Sequence, residues 1–299
     1  MLRFSKLLSL TLVLLMLAGI VPSLAEGLTL IDMIGREVRL ATAAEQVVVL
    51  MPGDLEIVYA LGAGDKVVGR GEYCNYPEEA LELPAIQSGG ETNIEQIVAL
   101  RPQLIILSKM AQTPEQVTKL EQAGIAVLVT DAQSIADVYE ATRLIGRAIG
   151  KSAEAERLVG QMQADFAELQ AKVPAGSGKT VYFESSPLQW GLWTAGQGTF
   201  MQEITEMLGL KNIFDDVEGW REVAQEQVLA RDPDYIVTLG MYFGEGPTPV
   251  EEIKARAGWE KQKAVVNGAI NNADADTLAR PGPRLVDGAK ALFDFVYGK

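Results

Sequence analysis

The chain has 299 residues, is 48% apolar, and carries 26 basic against 40 acidic side chains, a formal net charge of −14. That length and apolar content predict two domains with a large buried core, and the acidity argues against nucleic acid or an anionic membrane surface as a partner. Histidine is absent, which removes histidine general bases, Ser-His-Asp triads and the usual zinc ligand sets, and the single cysteine, Cys74, cannot form an internal disulfide.

Residues 1–25 read as an export signal: Arg3 and Lys6 give a positive start, Leu7 to Val21 is an apolar run, and Ser23-Leu24-Ala25 is a small-x-small cleavage site. Cleavage near Ala25 with no cysteine beside it predicts a periplasmic or extracellular protein without a lipid anchor. The exported chain is more acidic still, because the signal removes two basic residues and no acidic one.

In the mature chain, Leu28 to Asp32 and Glu37 to Leu40 alternate around Gly35-Arg36, the pattern of a β-hairpin. Gln46 to Leu50 predicts a strand, Leu55 to Leu61 a helix ended by Gly62, and Lys66 to Gly69 another strand. A helix near Pro114 to Ala123, a strand at Ile125 to Val129 and a helix near Ser134 to Ile149 follow. Strands alternating with helices imply a mostly parallel sheet covered on both faces. Ser152 is then expected to cap a helix running to about Lys172, with Leu158, Met162, Phe166, Leu169 and Val173 recurring as one buried stripe. Roughly 20 residues at 1.5 Å each make a strut about 30 Å long. It reads either as a rigid connection between lobes or as an ordinary surface helix.

A second unit restarts with Thr180 to Phe183 as a strand, a loop through Trp190 and Trp193, and a helix from Thr199 to Leu208 closed by Gly209. It continues with a strand at Tyr235 to Leu239, a helix near Pro249 to Ala257, a strand at Ala264 to Val266, and a last helix from about Arg284 to Tyr297. The expected organisation is an α/β protein with an N-terminal lobe over 26–150, a connecting helix over 151–174 and a C-terminal lobe over 175–299.

One stretch occurs twice. Glu95-Gln96-Ile97-Val98-Ala99-Leu100-Arg101-Pro102 runs into the apolar Leu104 to Leu107, and Glu226-Gln227-Val228-Leu229-Ala230-Arg231-Asp232-Pro233 runs into Tyr235 to Leu239. Each copy predicts a short helix opening on an exposed glutamate, burying Ile97, Val98 and Leu100 or Val228 and Leu229, and stopping at proline. A carboxylate in a first helical turn suits the macrodipole, so helix-end chemistry is one reading for each glutamate. Its repetition in two similar α/β units suggests the other: two related lobes, each presenting one acidic knob.

Ile31-Asp32-x-x-Gly35-Arg36-x-Val38-x-Leu40, Ala60-Leu61-Gly62-Ala63-x-x-Lys66-Val67-Val68-Gly69, Tyr76-Pro77, the two Glu-Gln segments and Arg280-Pro-Gly-Pro-Arg284 together resemble the substrate-binding proteins of ABC importers for iron-siderophores, haem and cobalamin. The resemblance covers essentially the whole mature chain. Gly71-Glu72-Tyr73-Cys74-Asn75-Tyr76-Pro77 and the spacing from Trp220 to Glu226 are most similar to the cobalamin-binding members. It implies two α/β lobes bridged by one long helix, a permease docked through Glu95 and Glu226, and a corrinoid or ferric chelate held in the interlobe cleft. No resident cofactor, no metal bound directly by the protein and a monomeric state are expected.

On that resemblance Tyr73 and Trp220 face the cleft, and Arg280 and Arg284 lie near its last loop. Residue chemistry adds Trp190 and Trp193, set among Ser185-Ser186-Pro187 and Gly191, and Tyr242 with Phe243 after a strand end, as further ligand contacts. Arg280, in a Pro/Gly loop, suits an acidic ligand group, while Arg284 reads as a contact or as a cap for a carboxylate. Trp259 reads as local packing. Where the cobalamin-type pattern has further tryptophans in the first lobe, this chain has Gly89 and Leu107 or Ser108. The rival classes are an enzyme built on Glu184, Asp274 and Asp276, which no spacing unites, and a binder of bare metal ions resting on Cys74 and carboxylates.

Overall fold

The computed structural model describes residues 27–109, 113–240 and 244–298. The hairpin forms as β1 (Leu28–Ile31) and β2 (Glu37–Leu40), antiparallel. A five-stranded sheet follows, built from β3 (Val47–Val49), β4 (Val67–Gly71), β5 (Ala85–Ile86), β6 (Leu104–Ser108) and β7 (Ala126–Thr130). Its order is β5-β4-β3-β6-β7, parallel throughout. Its apolar runs are unbroken because both faces are covered. Val47, Val49, Leu104 and Ile106 face one core, and Val48, Ile105 and Leu107 face another. Helices α1 (Pro52–Ala60), α2 (Ile94–Leu100), α3 (Pro114–Gln122) and α4 (Ile135–Ala148) complete this lobe. Thr113 and Ser134 close capping boxes on the last two.

The strut is α5 (Ser152–Ala171), 20 residues long. Ser152 does not cap it. Gly150, at φ 74°, turns the chain so tightly that Lys151 occupies the cap position without a side-chain hydrogen bond, and Ser152 is already helical. The tight turn packs α5 against α4, where a Cβ on Gly146 would come within 2.6 Å of the Ala155 Cβ. Ala155 belongs to the first lobe's core, whereas Met162, Phe166 and Leu169 belong to the second's, so one helix serves both. Leu158 and Val173 are only partly buried.

The second lobe carries β8 (Thr180–Glu184), β10 (Lys211–Asn212), β12 (Tyr235–Thr238) and β13 (Ile270–Asn272) in the parallel order β10-β8-β12-β13. Val181, Phe183 and Val237 face one core and Tyr182 and Ile236 the other. Its helices are α6 (Phe200–Met207), α7 (Gln225–Arg231), α8 (Pro249–Lys254), α9 (Lys263–Val266), α10 (Ala275–Leu278) and α11 (Leu285–Tyr297). The stretch Ala264 to Val266, expected as a strand, is the single turn α9. Asp232 accepts from the Lys263 backbone N–H at 2.8 Å, and Asn267-Gly268 closes the turn with Gly268 at φ 64°. The strand is displaced to β13.

The loop expected through Trp193 is also a strand, β9 (Leu192–Ala195), paired antiparallel with β11 (Trp220–Val223). Local sequence hides it because the partner lies far along the chain. The twin Glu-Gln helices match closely. In both α2 and α7 the glutamate is the second residue and is exposed, and each helix ends in a left-handed residue before proline: Arg101 at φ 51° and Asp232 at φ 43°. Among the described residues these are the two non-glycine positions with positive φ. Ile97 and Val228 are buried as expected, but Val98 is exposed.

Candidate functional site

The carboxyl ends of β3, β6 and β7 open onto a cleft whose far wall is the second lobe, the position where open α/β sheets bind ligands. Met51, Asp54, Ser108 and Thr130 line the first-lobe side, and Phe200, Trp220, Ala279 and Arg280 the other. The recess between them has a volume of about 180 Å³. A roomier hollow of about 470 Å³ lies between β2 and β7 and involves the first lobe alone. Two seams fix the cleft's width. At one, the Phe200 N–H donates to the Gln133 carbonyl at 2.6 Å and the Ile135 N–H to Glu203 at 2.7 Å.

The other seam is the Arg280-Pro-Gly-Pro-Arg284 loop. Arg284 grips Glu56 of α1 with two parallel bonds, Nε to Oε2 at 2.9 Å and Nη2 to Oε1 at 2.6 Å, and lies 3.9 Å over the Tyr76 ring. Arg280 donates to Asn75 at 2.7 Å, pairs with Asp276 at 2.6 Å and stands 3.6 Å from Glu56. The two backbones nearly touch here, since a Cβ on Gly53 would come within 2.6 Å of the Pro281 oxygen. Arg284 is therefore an interlobe clasp, the carboxylate-capping alternative, and Arg280 divides itself between the clasp and the cleft wall.

Asp54 sits on the cleft floor at 5% exposure, in the first turn of α1. The Thr130 hydroxyl oxygen is 2.9 Å from Asp54 Oδ2 and 3.3 Å from the Leu107 carbonyl oxygen. The hydroxyl donates to the carboxyl. Burial pushes the Asp54 carboxyl from 3.8 up to about 7 against the smaller opposing pull of the Thr130 bond. The folded carboxyl thus keeps its proton after the unfolded one has lost it. Asp54's contribution to stability is fully present below about pH 4 and is lost as pH rises through about 7. Urea unfolding followed from about pH 4 to about pH 8 should show Asp54→Asn gaining on the parent with a slope of about one proton. Parallel curves would remove the protonated carboxyl.

Among the expected ligand contacts, Trp220 and Arg280 line this cavity, and Trp220 is braced edge-on by Phe200 at 6.0 Å between ring centres. Tyr73, Trp190 and Trp193 do not line it. They are exposed at 65%, 73% and 41%, Trp193 because its strand turns Leu192 and Thr194 inward and leaves it on the outer face beside Glu222. Tyr242 and Phe243 lie outside the described residues. Trp259 is fully buried in the second lobe's core. Cys74 is buried as well, and burial pushes its thiol up to about 12. Glu184, Asp274 and Asp276 do not converge: Arg256 holds Glu184 at 2.6 and 2.7 Å, Asp274 accepts the Asp276 N–H as a helix cap, and Asp276 is paired with Arg280. Asp54 and Glu56 went unnoticed in sequence. The signal was there, two carboxylates interleaved with Leu55, Ile57 and Val58 in one short helix.

Two parallel-sheet lobes sharing one long helix, with a clasped cleft between them, define a solute-binding protein. The match to the periplasmic binding protein family covers residues 47–277, and the chain belongs to that family. It is 33% identical over 275 residues to the uncharacterised ABC transporter substrate-binding lipoprotein YvrC of Bacillus subtilis, covering 90% of this chain and 85% of the relative. It is 30% identical over 254 residues to the vitamin B12-binding protein of Salmonella paratyphi A, covering 84% and 89%. Among solved structures, the periplasmic heme-binding protein RhuT of Roseiflexus superposes with a TM-score of 0.76 at 25% identity, covering 85% and 98%. The protein is an ABC-transporter substrate-binding protein.

Proposed function

We propose that this protein captures a corrinoid in the interlobe cleft outside the cytoplasm and delivers it to an ABC permease that docks on Glu95 and Glu226. The observation that carries the ligand class is Trp220, held rigid by Phe200 at the wall of a cleft that mixes apolar surface with a few polar groups, as suits a large flat guest. The likeness to vitamin B12-binding proteins supports it. Export rests on the N-terminal signal, and no helix among the described residues is long and apolar enough to cross a membrane. A protein acting by capture and release uses its side chains for binding and not for turnover, and the scattered Glu184, Asp274 and Asp276 accord with that.

Haem is the second reading. It is favoured by the likeness to RhuT, a periplasmic heme-binding protein. Tryptophan fluorescence titrated with cyanocobalamin, haemin and a ferric hydroxamate decides between them. Saturable one-to-one quenching by cyanocobalamin is expected, and a response to haemin alone would overturn the corrinoid assignment. Trp220→Ala should then weaken corrinoid binding by about 2 kcal/mol, roughly thirtyfold. Unchanged affinity would make Trp220 a packing residue.

A further inference from the structure

We propose that the cleft floor is a subsite for one uncharged polar arm of the ligand, an amide or hydroxyl that meets Asp54, and that it rejects a carboxylate in the same place. The proposal rests on the corrinoid reading and adds to it which substituents the site accepts. Size comes first. The recess of about 180 Å³ that Asp54 floors is a narrow part of the cleft, into which a polar arm of a larger guest can reach.

Charge comes second. Among the described residues, the charged groups near Asp54 have partners of their own. On α1 itself Glu56 points into the clasp and belongs to Arg284. From β7 comes the Thr130 hydroxyl, and Asp131 just after the strand is paired with Lys109 at 2.7 Å. From the 71–77 loop comes the buried Cys74 thiol, which stays neutral. From the second lobe comes Arg280, whose guanidinium is already shared among Asp276, Asn75 and Glu56. Among the described residues, Arg280 and Arg284 balance Glu56 and Asp276 one for one, and Asp54 forms no ion pair. An arriving carboxylate would find a desolvated floor without a spare cation, beside a carboxyl of its own kind. An amide arm instead exchanges hydrogen bonds with Asp54, and a site built for that exchange discriminates strongly against groups that cannot take part.

The test compares two corrins that differ in their arms, dicyanocobinamide with amides and dicyanocobyrinic acid with carboxylates, by fluorescence titration at about pH 8, where Asp54 is ionised. The full-length mature protein should prefer the amide corrin by about a hundredfold. Asp54→Asn should shrink the preference at least tenfold, because the parent's carboxyl is ionised at that pH and repels a carboxylate arm, whereas a side-chain amide can donate to it. An undiminished preference in the variant overturns the proposal. If neither corrin binds the parent, the corrinoid reading fails, and the floor is then tested with haemin against its bis-amide. A preference for the bis-amide that Asp54→Asn narrows upholds the floor's selectivity, and a preference for the diacid overturns it.

Discussion

Replacing Arg284 by methionine lowers the unfolding free energy by about 3 kcal/mol, because it strands Glu56. That carboxylate is 2% exposed in its side chain, so without its two bonds from Arg284 it is a desolvated charge with only Arg280, 3.6 Å away, in reach. The ring of Tyr76 also loses the guanidinium stacked on it. Breaking one side of a buried pair costs more than replacing both, so Glu56→Gln together with Arg284→Met should recover most of the loss. Urea unfolding of the four proteins in the cycle measures the coupling. A single-variant loss below about 1 kcal/mol would class the contact with ordinary surface ion pairs. The clasp also bears on binding. It ties α1, which carries Asp54, to the loop that carries Arg280, so the cleft floor and its opposite wall are held by one set of bonds.

How much of this was readable beforehand depends on how local the cause is. The parallel sheets announced themselves because strands buried on both faces must be apolar at every position, as Leu104 to Leu107 are. The twin helices were legible because proline, an exposed glutamate and a β-branched run recur in the same order. What failed to show was set at a distance. Trp193 became a strand residue because Trp220 to Val223 arrives beside it, and Val266 became helical because Asp232, from another element, closes the turn before it. The clasp needed both kinds of information. Arg284 was visible as a loop arginine, but its partner is an acid on a helix 228 positions away in sequence, and only the folded chain brings Glu56 to it. Asp54 is the instructive miss. A carboxylate in a first helical turn looks like dipole chemistry, and only its burial without a cation marks it as something else.

If the permease docks on both acidic knobs, as proposed, Glu95→Arg with Glu226→Arg should cut ligand uptake by at least about a hundredfold and leave ligand affinity where it was. The two carboxylates hold the same position in two helices of the same length, each locked by a left-handed residue and a proline, so their side chains leave the two lobes from matched frames. Neither lines the cleft. Exposed charges that meet a partner set encounter rate and register, and like charges in their place cost several kcal/mol, which two reversals compound. Each single reversal should fall between the parent and the double variant, since one matched lobe still docks. Salt provides an independent check. Uptake by the parent, measured in cells or vesicles containing the permease, should decline as ionic strength rises and the screening length drops below about 10 Å, while cleft binding, buried and uncharged, should hold. Near-parental transport by the double variant would take both glutamates out of the interface and return them to helix-end chemistry.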